Sequence, residues 1–252
     1  MGVSSAALLQ ILASSVGGWP LFDGSFRGPD AYMRLNRVLE CQGGATCLGG
    51  LMPRSNAPFG EVLHWPYLQD WLLIAIAAPL KLLLGERIAV ALAGYLFGPL
   101  LQVVATGLVL LAVRPLVSGR AWVLSGVFLT TQLWVLLAFA PSRPDHHGLQ
   151  AVFFLAALAG GIRLLVGGGH RAFEALTGIG VGGGLWVSVE GLVTVTSPLV
   201  ALGLVWVGFG QRAWARSVAR VLSWAVLVLL MALLLDPPQA GRWSPVYDRV
   251  SV

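Results

Sequence analysis

The chain has 252 residues, of which 57% are hydrophobic and only 11% charged, and ten of them are Trp. That composition lies far outside the range of soluble globular domains and marks an integral membrane protein. Its net charge of +5 comes from sixteen basic residues scattered through short connections, with no basic stripe and interleaved aromatics, which argues against nucleic acid as a partner.

Several apolar runs approach or exceed the roughly 20 residues that a helix needs to cross a bilayer, and the alternation of a transmembrane barrel is absent. The fold class is therefore predicted to be all-α and polytopic. A first run, about 3–16, lacks a basic start and a cleavage site, so it is expected to be a retained helix at about 3–20. A long polar stretch follows, and then an apolar run at 72–84 that contains Pro79 and Lys81. As a helix this run covers only about 20 Å against about 30 Å of hydrocarbon, so it is expected to lie along the interface. Six further helices, at about 88–113, 121–140, 148–166, 172–190, 193–210 and 218–235, give an expected count of seven spans in one module covering 1–252.

Short cytoplasmic loops collect Arg and Lys. Arg114 and Arg120, Arg163 and Arg171, and Arg212, Arg216 and Arg220 fall on one side under this count, which is read as cytoplasmic. All the acids except Glu174 then lie on or near the outer side, as do loop one (about 21–86), loop two (about 141–147) and the tail 236–252. Counting 72–84 as a span would put the Arg clusters outside. Cys41 and Cys47 both sit in the long outer loop, where a disulfide and two free thiols are both open readings.

Acids beside hydrocarbon are costly and mark candidate sites. Asp30 follows Pro29, and helical spacing puts Arg34 and then Arg37 on the same face. One reading makes Asp30 a helix cap; the other makes it a carboxylate base or ligand, with arginine forks that receive phosphate. Asp145-His146-His147 follows Pro144 at a junction between spans, either as a cap with solvated histidines or as a divalent-metal ligand set. Glu190 has no basic residue within fifteen positions, so at membrane depth it is expected to pair with a distant group, take up a proton or bind a metal. His64-Trp65-Pro66-Tyr67 reads as an aromatic belt or as a substrate contact through His64. The glycines of 178–184 let helices approach closely or leave room for a ligand. Their formal match to G-x-G-x-x-G has no preceding strand and is a false positive.

Taken in order, the Asp30-Ala31-Tyr32-Met33-Arg34 opening, the stretch LHWPYLQDW, the PDHHG turn and Glu190 after a glycine-rich helix resemble the GT-C superfamily. This superfamily includes oligosaccharyltransferase catalytic subunits and mannosyl and aminoarabinose transferases that use polyprenyl-linked sugars. The nearest likeness is to an uncharacterised bacterial branch. The resemblance implies a glycosyltransferase of the bacterial inner membrane that takes a polyprenyl phosphate or diphosphate sugar from the bilayer and passes the sugar to a protein or glycan acceptor at the periplasmic face. It implies Asp30, Asp145 and Glu190 as catalytic residues, with Asp30 as base or acceptor-orienting group. Arg34, Arg37, His64 and Tyr32 would contact substrate or phosphate, and Asp145, His146 and His147 would hold a divalent metal, Mg or Mn. Relatives usually continue beyond seven helices, so the chain is expected to be a compact or truncated member, and Asp-His-His stands where many carry two acids. Two rivals remain at this stage: a small proton- or ion-coupled transporter, and an inactive membrane subunit of a glycosylation complex. No paired broken helices of an inverted repeat favour the transporter.

Overall fold

The computed structural model describes residues 25–42, 50–167, 170–210, 212–238, 245–246 and 250–251. The described residues form nine helices and no strand: α1 Pro29–Gln42, α2 Leu68–Leu84, α3 Glu86–Val113, α4 Ala121–Thr130, α5 Leu133–Ala138, α6 His146–Gly167, α7 Arg171–Val187, α8 Gly191–Phe209 and α9 Arg212–Leu235. The helix expected at about 3–20 lies outside the described residues.

Four helices are long and apolar enough to cross a membrane: α3, α6, α8 and α9. Among the described residues, four of the expected seven spans meet that measure. The run expected as one helix at 121–140 is broken into α4 and α5, because Thr131-Gln132 interrupts it. Thr130 Oγ1 donates to Gly126 O, while Thr131 Oγ1 and Gln132 Nε2 donate to Phe128 O at 3.2 and 2.8 Å, so side chains take over the carbonyls a continuing helix would have used. The helix expected at 172–190 stops at Val187, leaving α7 with 17 residues. The run at 72–84 is longer than expected: α2 begins at Leu68, passes through Pro79 without interruption and ends at Gly85, whose φ of 76° suits glycine. A Lys81–Glu86 ion pair of 3.2 Å bridges that break.

α1 begins with proline at its first position, where no N–H is needed, and buries Ala31, Arg34, Leu35, Val38 and Cys41 along one stripe. Cys41 is disulfide-bonded; Cys47 lies outside the described residues. The main core joins α1, α2, α3, α6 and α7 through Leu35, Val38, Leu73, Ala93, Phe97, Leu149 and Val187.

The glycines of α7 serve two neighbours at once. A Cβ at Gly182 would stand 2.7 Å from Ala225 O in α9, and one at Gly180 would stand 2.6 Å from Phe153 O in α6. Gly178 faces Val221 and Trp224, and Gly183 faces the Phe153 ring. Backbones on both sides thus approach more closely than any side chain would allow, as in small-residue packing between membrane helices. Of the two readings of 178–184, close helix approach is the one the structure carries. Below this contact Glu174, only 1% exposed, accepts from Ser217 Oγ at 2.6 Å and from Arg220. The acid that stood alone among the arginine clusters is therefore paired across α7 and α9.

Candidate functional site

The turns at one end of the helices meet around a cavity of about 220 Å³, lined by Arg34, His64, Trp65, Pro66, His146, Val187, Ser188, Val189 and Glu190. Its walls come from α1, the segment before α2, the start of α6 and the α7–α8 turn. Val187 ends α7 and Gly191 begins α8. A side chain at Gly191 would strike the Gly184 carbonyl, so glycine there permits the tight reversal that carries Glu190.

Asp145, 9% exposed, lies directly before α6. Its carboxylate accepts from His146 N at 2.6 Å and from Arg143 Nη2 at 3.3 Å, and its two oxygens stand 2.8 Å from Nδ1 of His146 and of His147. Burial by itself would raise the Asp145 carboxyl, but the hydrogen bonds to His146 and His147 outweigh it and hold the group well below the usual carboxylate range. The two imidazoles are tilted against each other with centroids 4.2 Å apart.

Glu190 Oε2 lies 3.8 Å from His146 Nε2 and 4.0 Å from His147 Nε2. With the proton assigned to each Nδ1, facing Asp145, both Nε2 lone pairs are free on the Glu190 side. Separations near 4 Å exceed hydrogen-bond reach and leave space between the imidazoles and the carboxylate for an ion bound at about 2.0–2.2 Å, on which the ligands would draw in to about 3.4 Å. Asp145 would then be the carboxylate behind the imidazoles that fixes their orientation. Ligand atoms of Asp145, His146 and His147 also lie within 4.8 Å of one another, so this group could itself hold a metal. On either count the donor set fits a divalent cation.

The expected residues divide clearly. His146 and Glu190 line the cavity together with Arg34 and His64, and Asp145 stands directly behind His146. Glu190 itself stands in the turn after α7, which ends three residues earlier, and its side chain is 62% exposed. Of the three acids implied as catalytic, Glu190 lines the cavity, Asp145 stands behind His146, and Asp30, exposed in the first turn of α1, does not line it. Its segment is nevertheless tied to the second loop, since Arg27 N donates to Ser142 O at 2.9 Å. Tyr32 also lies off the cavity, accepting from Phe26 N through its hydroxyl at 2.9 Å.

Arg34 and Arg37 follow Asp30 along α1, but where Asp30 is exposed both arginines are buried against Asp70, a residue of α2 that is fully buried. Arg34 Nη1 donates to Asp70 Oδ1 at 2.9 Å, and Arg37 Nε lies 3.4 Å from Asp70 Oδ2. Burial is the largest influence on Arg37 and lowers its pKa against the pull of Asp70. Asp236 closes the site from the other end of the chain, accepting from Tyr67 N at 2.8 Å and from Trp186 Nε1 at 2.9 Å. Sequence reasoning passed over Asp70 and Asp236. The available signal was an acid within an apolar stretch beside aromatics, LQDW in one case and LLLD in the other.

No family model matches the sequence, and no curated protein matches it. Solved structures of the oligosaccharyltransferase AglB from Archaeoglobus fulgidus do resemble it in fold. One, in complex with an inhibitory peptide and a dolichol-phosphate, superposes with a TM-score of 0.73 at 17% identity, covering 91% of this chain and 29% of its own. A structure of the oligosaccharyltransferase from the same organism with Zn and sulfate gives 0.72 at 17% identity, covering 92% and 31%. A third, tethered to an acceptor peptide, gives 0.68 at 13% identity, covering 99% and 31%. This chain thus spans less than a third of the length of these neighbours. The likeness, at these identities, is one of fold: a multi-pass helical arrangement like that of an oligosaccharyltransferase.

Proposed function

We propose that this chain is a GT-C membrane glycosyltransferase module, covering 1–252, which transfers a sugar from a polyprenyl-(di)phosphate-linked donor to a protein or glycan acceptor. The observation that carries this reading is the cavity shared by Arg34, His64, His146 and Glu190, where cationic and metal-binding groups from separate turns face one space. An anionic lipid headgroup needs that combination, because negative charge builds on the phosphate as the sugar leaves. Support also comes from the named contents of the neighbours, a dolichol-phosphate in one and an acceptor peptide in another.

In this reading His146, His147 and Glu190, with Asp145 behind or among them, hold a divalent cation such as Mg or Mn. When bound, the cation supplies a Lewis acid that stabilises the phosphate leaving group. Arg34 meets the donor phosphate, His64 contacts the substrate from the cavity wall, and Asp30 serves as base or acceptor-orienting group. The sugar carbon undergoes inverting displacement by the acceptor. The site faces the periplasmic side of a bacterial inner membrane, with the arginine-rich turns in the cytoplasm.

The test is donor turnover by the purified chain in nanodiscs supplied with a polyprenyl-linked sugar and acceptor. Asp145→Asn and Glu190→Gln are expected to lower turnover by about 10–100-fold, as losses around a metal site do. Asp30→Asn completes the set. Wild-type rates in all three variants would refute the assignment.

A further inference from the structure

Asp70 touches neither the cavity nor solvent, yet it lies beneath Arg34, the one arginine among the described residues that lines the cavity. Its side chain is fully buried in the first turn of α2, and two arginines one turn apart on α1 converge on it. Each guanidinium also stacks on a ring from the segment preceding α2, Arg34 over Trp65 and Arg37 over Tyr67, both at 4.7 Å. Each is bonded to a carbonyl of the same segment: Arg34 Nη1 to Pro66 O at 3.4 Å and Arg37 Nη2 to Trp65 O at 3.0 Å.

Both hydrogen bonds of Arg34 leave from Nη1. Its Nε and Nη2 donate to no described group, so one end of the guanidinium is pinned while its remaining donors stay unclaimed beside the cavity. We propose that Asp70 is a positioning residue: it locks the Arg34 guanidinium so that its unclaimed N–H groups are presented, already oriented, to an anionic phosphate oxygen in the cavity. This rests on the donor reading given above and deepens it, by identifying what makes the phosphate subsite rigid. An arginine fixed before binding loses little side-chain entropy on meeting its ligand, and its planar fork is useful only when its plane is held. Ring stacking sets the plane and Asp70 sets the rotation within it. Asp236, which lies close enough to act on Arg37, helps balance the second arginine, so that Arg34 is the cation the cluster offers to a ligand.

The experiment measures binding of a polyprenyl phosphate and of the matching neutral polyprenol to the chain in nanodiscs, with inorganic phosphate as competitor. The readout is the ratio of the two lipid affinities, which a general loss of folding does not change. Asp70→Asn is expected to lower that ratio about tenfold, the value of one charge-assisted hydrogen bond. The double variant Asp70→Asn with Arg37→Gln removes one charge of each sign, keeps the buried balance, and is expected to show the same loss; it decides the matter if the single variant fails to fold. Glu174→Gln, which weakens another arginine–carboxylate pair at the far end of α7, is expected to lower thermal stability with the ratio unchanged. Inorganic phosphate is expected to compete with the polyprenyl phosphate and not with the polyprenol, which separates headgroup binding from chain binding. If the wild type does not distinguish the two lipids, the donor reading fails and the role of Asp70 falls with it. If the wild type distinguishes them and the double variant does so equally well, the positioning role alone is overturned.

Discussion

Replacing Gly180 by Ala tests whether the contact between α6 and α7 is set by direct backbone approach. The new Cβ would stand 2.6 Å from Phe153 O, about 0.8 Å inside the 3.4 Å at which ordinary van der Waals contact begins, and it would press on Ala157 N as well. Both are backbone atoms of a helix, so no rotamer change relieves them and the helices must separate. Overpacking of this kind costs about 1–3 kcal/mol, and the absence of a flexible partner places it near the upper end. Alanine returns up to about 1 kcal/mol of helix propensity, leaving about 2 kcal/mol of destabilisation. For a chain of this size that corresponds to a fall of about 4–8 °C in thermal unfolding in detergent. Gly161 supplies the control, because a Cβ there meets nothing within 4 Å and Gly161→Ala is expected to be neutral or stabilising. Equal melting of Gly180→Ala and Gly161→Ala would refute close backbone packing as the role of these glycines.

Calorimetric titration of Mn²⁺ is expected to show binding at pH 7.5 that weakens by about 10–100-fold in His146→Ala and in Glu190→Gln. Since imidazole ligands must shed their protons to coordinate, the same titration at pH 5.5 should give weaker binding; unchanged Mn²⁺ affinity in a variant lacking both histidines would remove them from the metal assignment. Asp236→Ala leaves the Tyr67 amide and the Trp186 indole without their acceptor and is expected to lower stability by about 1–3 kcal/mol, with Asp236→Asn less damaging because its carbonyl can still accept. Equal melting of Asp236→Ala and wild type would show that these bonds do not hold the cavity walls. Thr131→Leu with Gln132→Leu frees the Phe128 carbonyl for the main chain, so hydrogen exchange across 131–133 should slow as α4 and α5 join; unchanged exchange would locate the cause of the break elsewhere.

Part of the site could be read from local pattern. Pro-Asp before an apolar stripe marked the start of α1, and an acid followed by two histidines marked a group that could hold a metal, because these are short-range features. The break between α4 and α5 was hidden by apolar composition on both sides, since hydropathy averages over the Thr and Gln side chains that capture carbonyls. Glu190 drew attention for a sound reason, its isolation from any nearby base, but its place in a turn was hidden by the three residues between the expected and actual ends of α7. Helix ends depend on capping and on what the last turn packs against, which an apolar run does not specify.

The amino-acid sequence by itself determined that the chain is helical and membrane-embedded and that Arg34, Asp145, His146 and Glu190 deserved suspicion, because burial of apolar surface and the cost of charge near hydrocarbon act residue by residue. Which partners those charges have was decided by tertiary structure alone. Asp70 faces Arg34 across 36 positions, and Asp236 reaches Tyr67 across 169. Pairings over such distances follow from how α1, α2 and α9 pack, and packing is a property of the assembled helices.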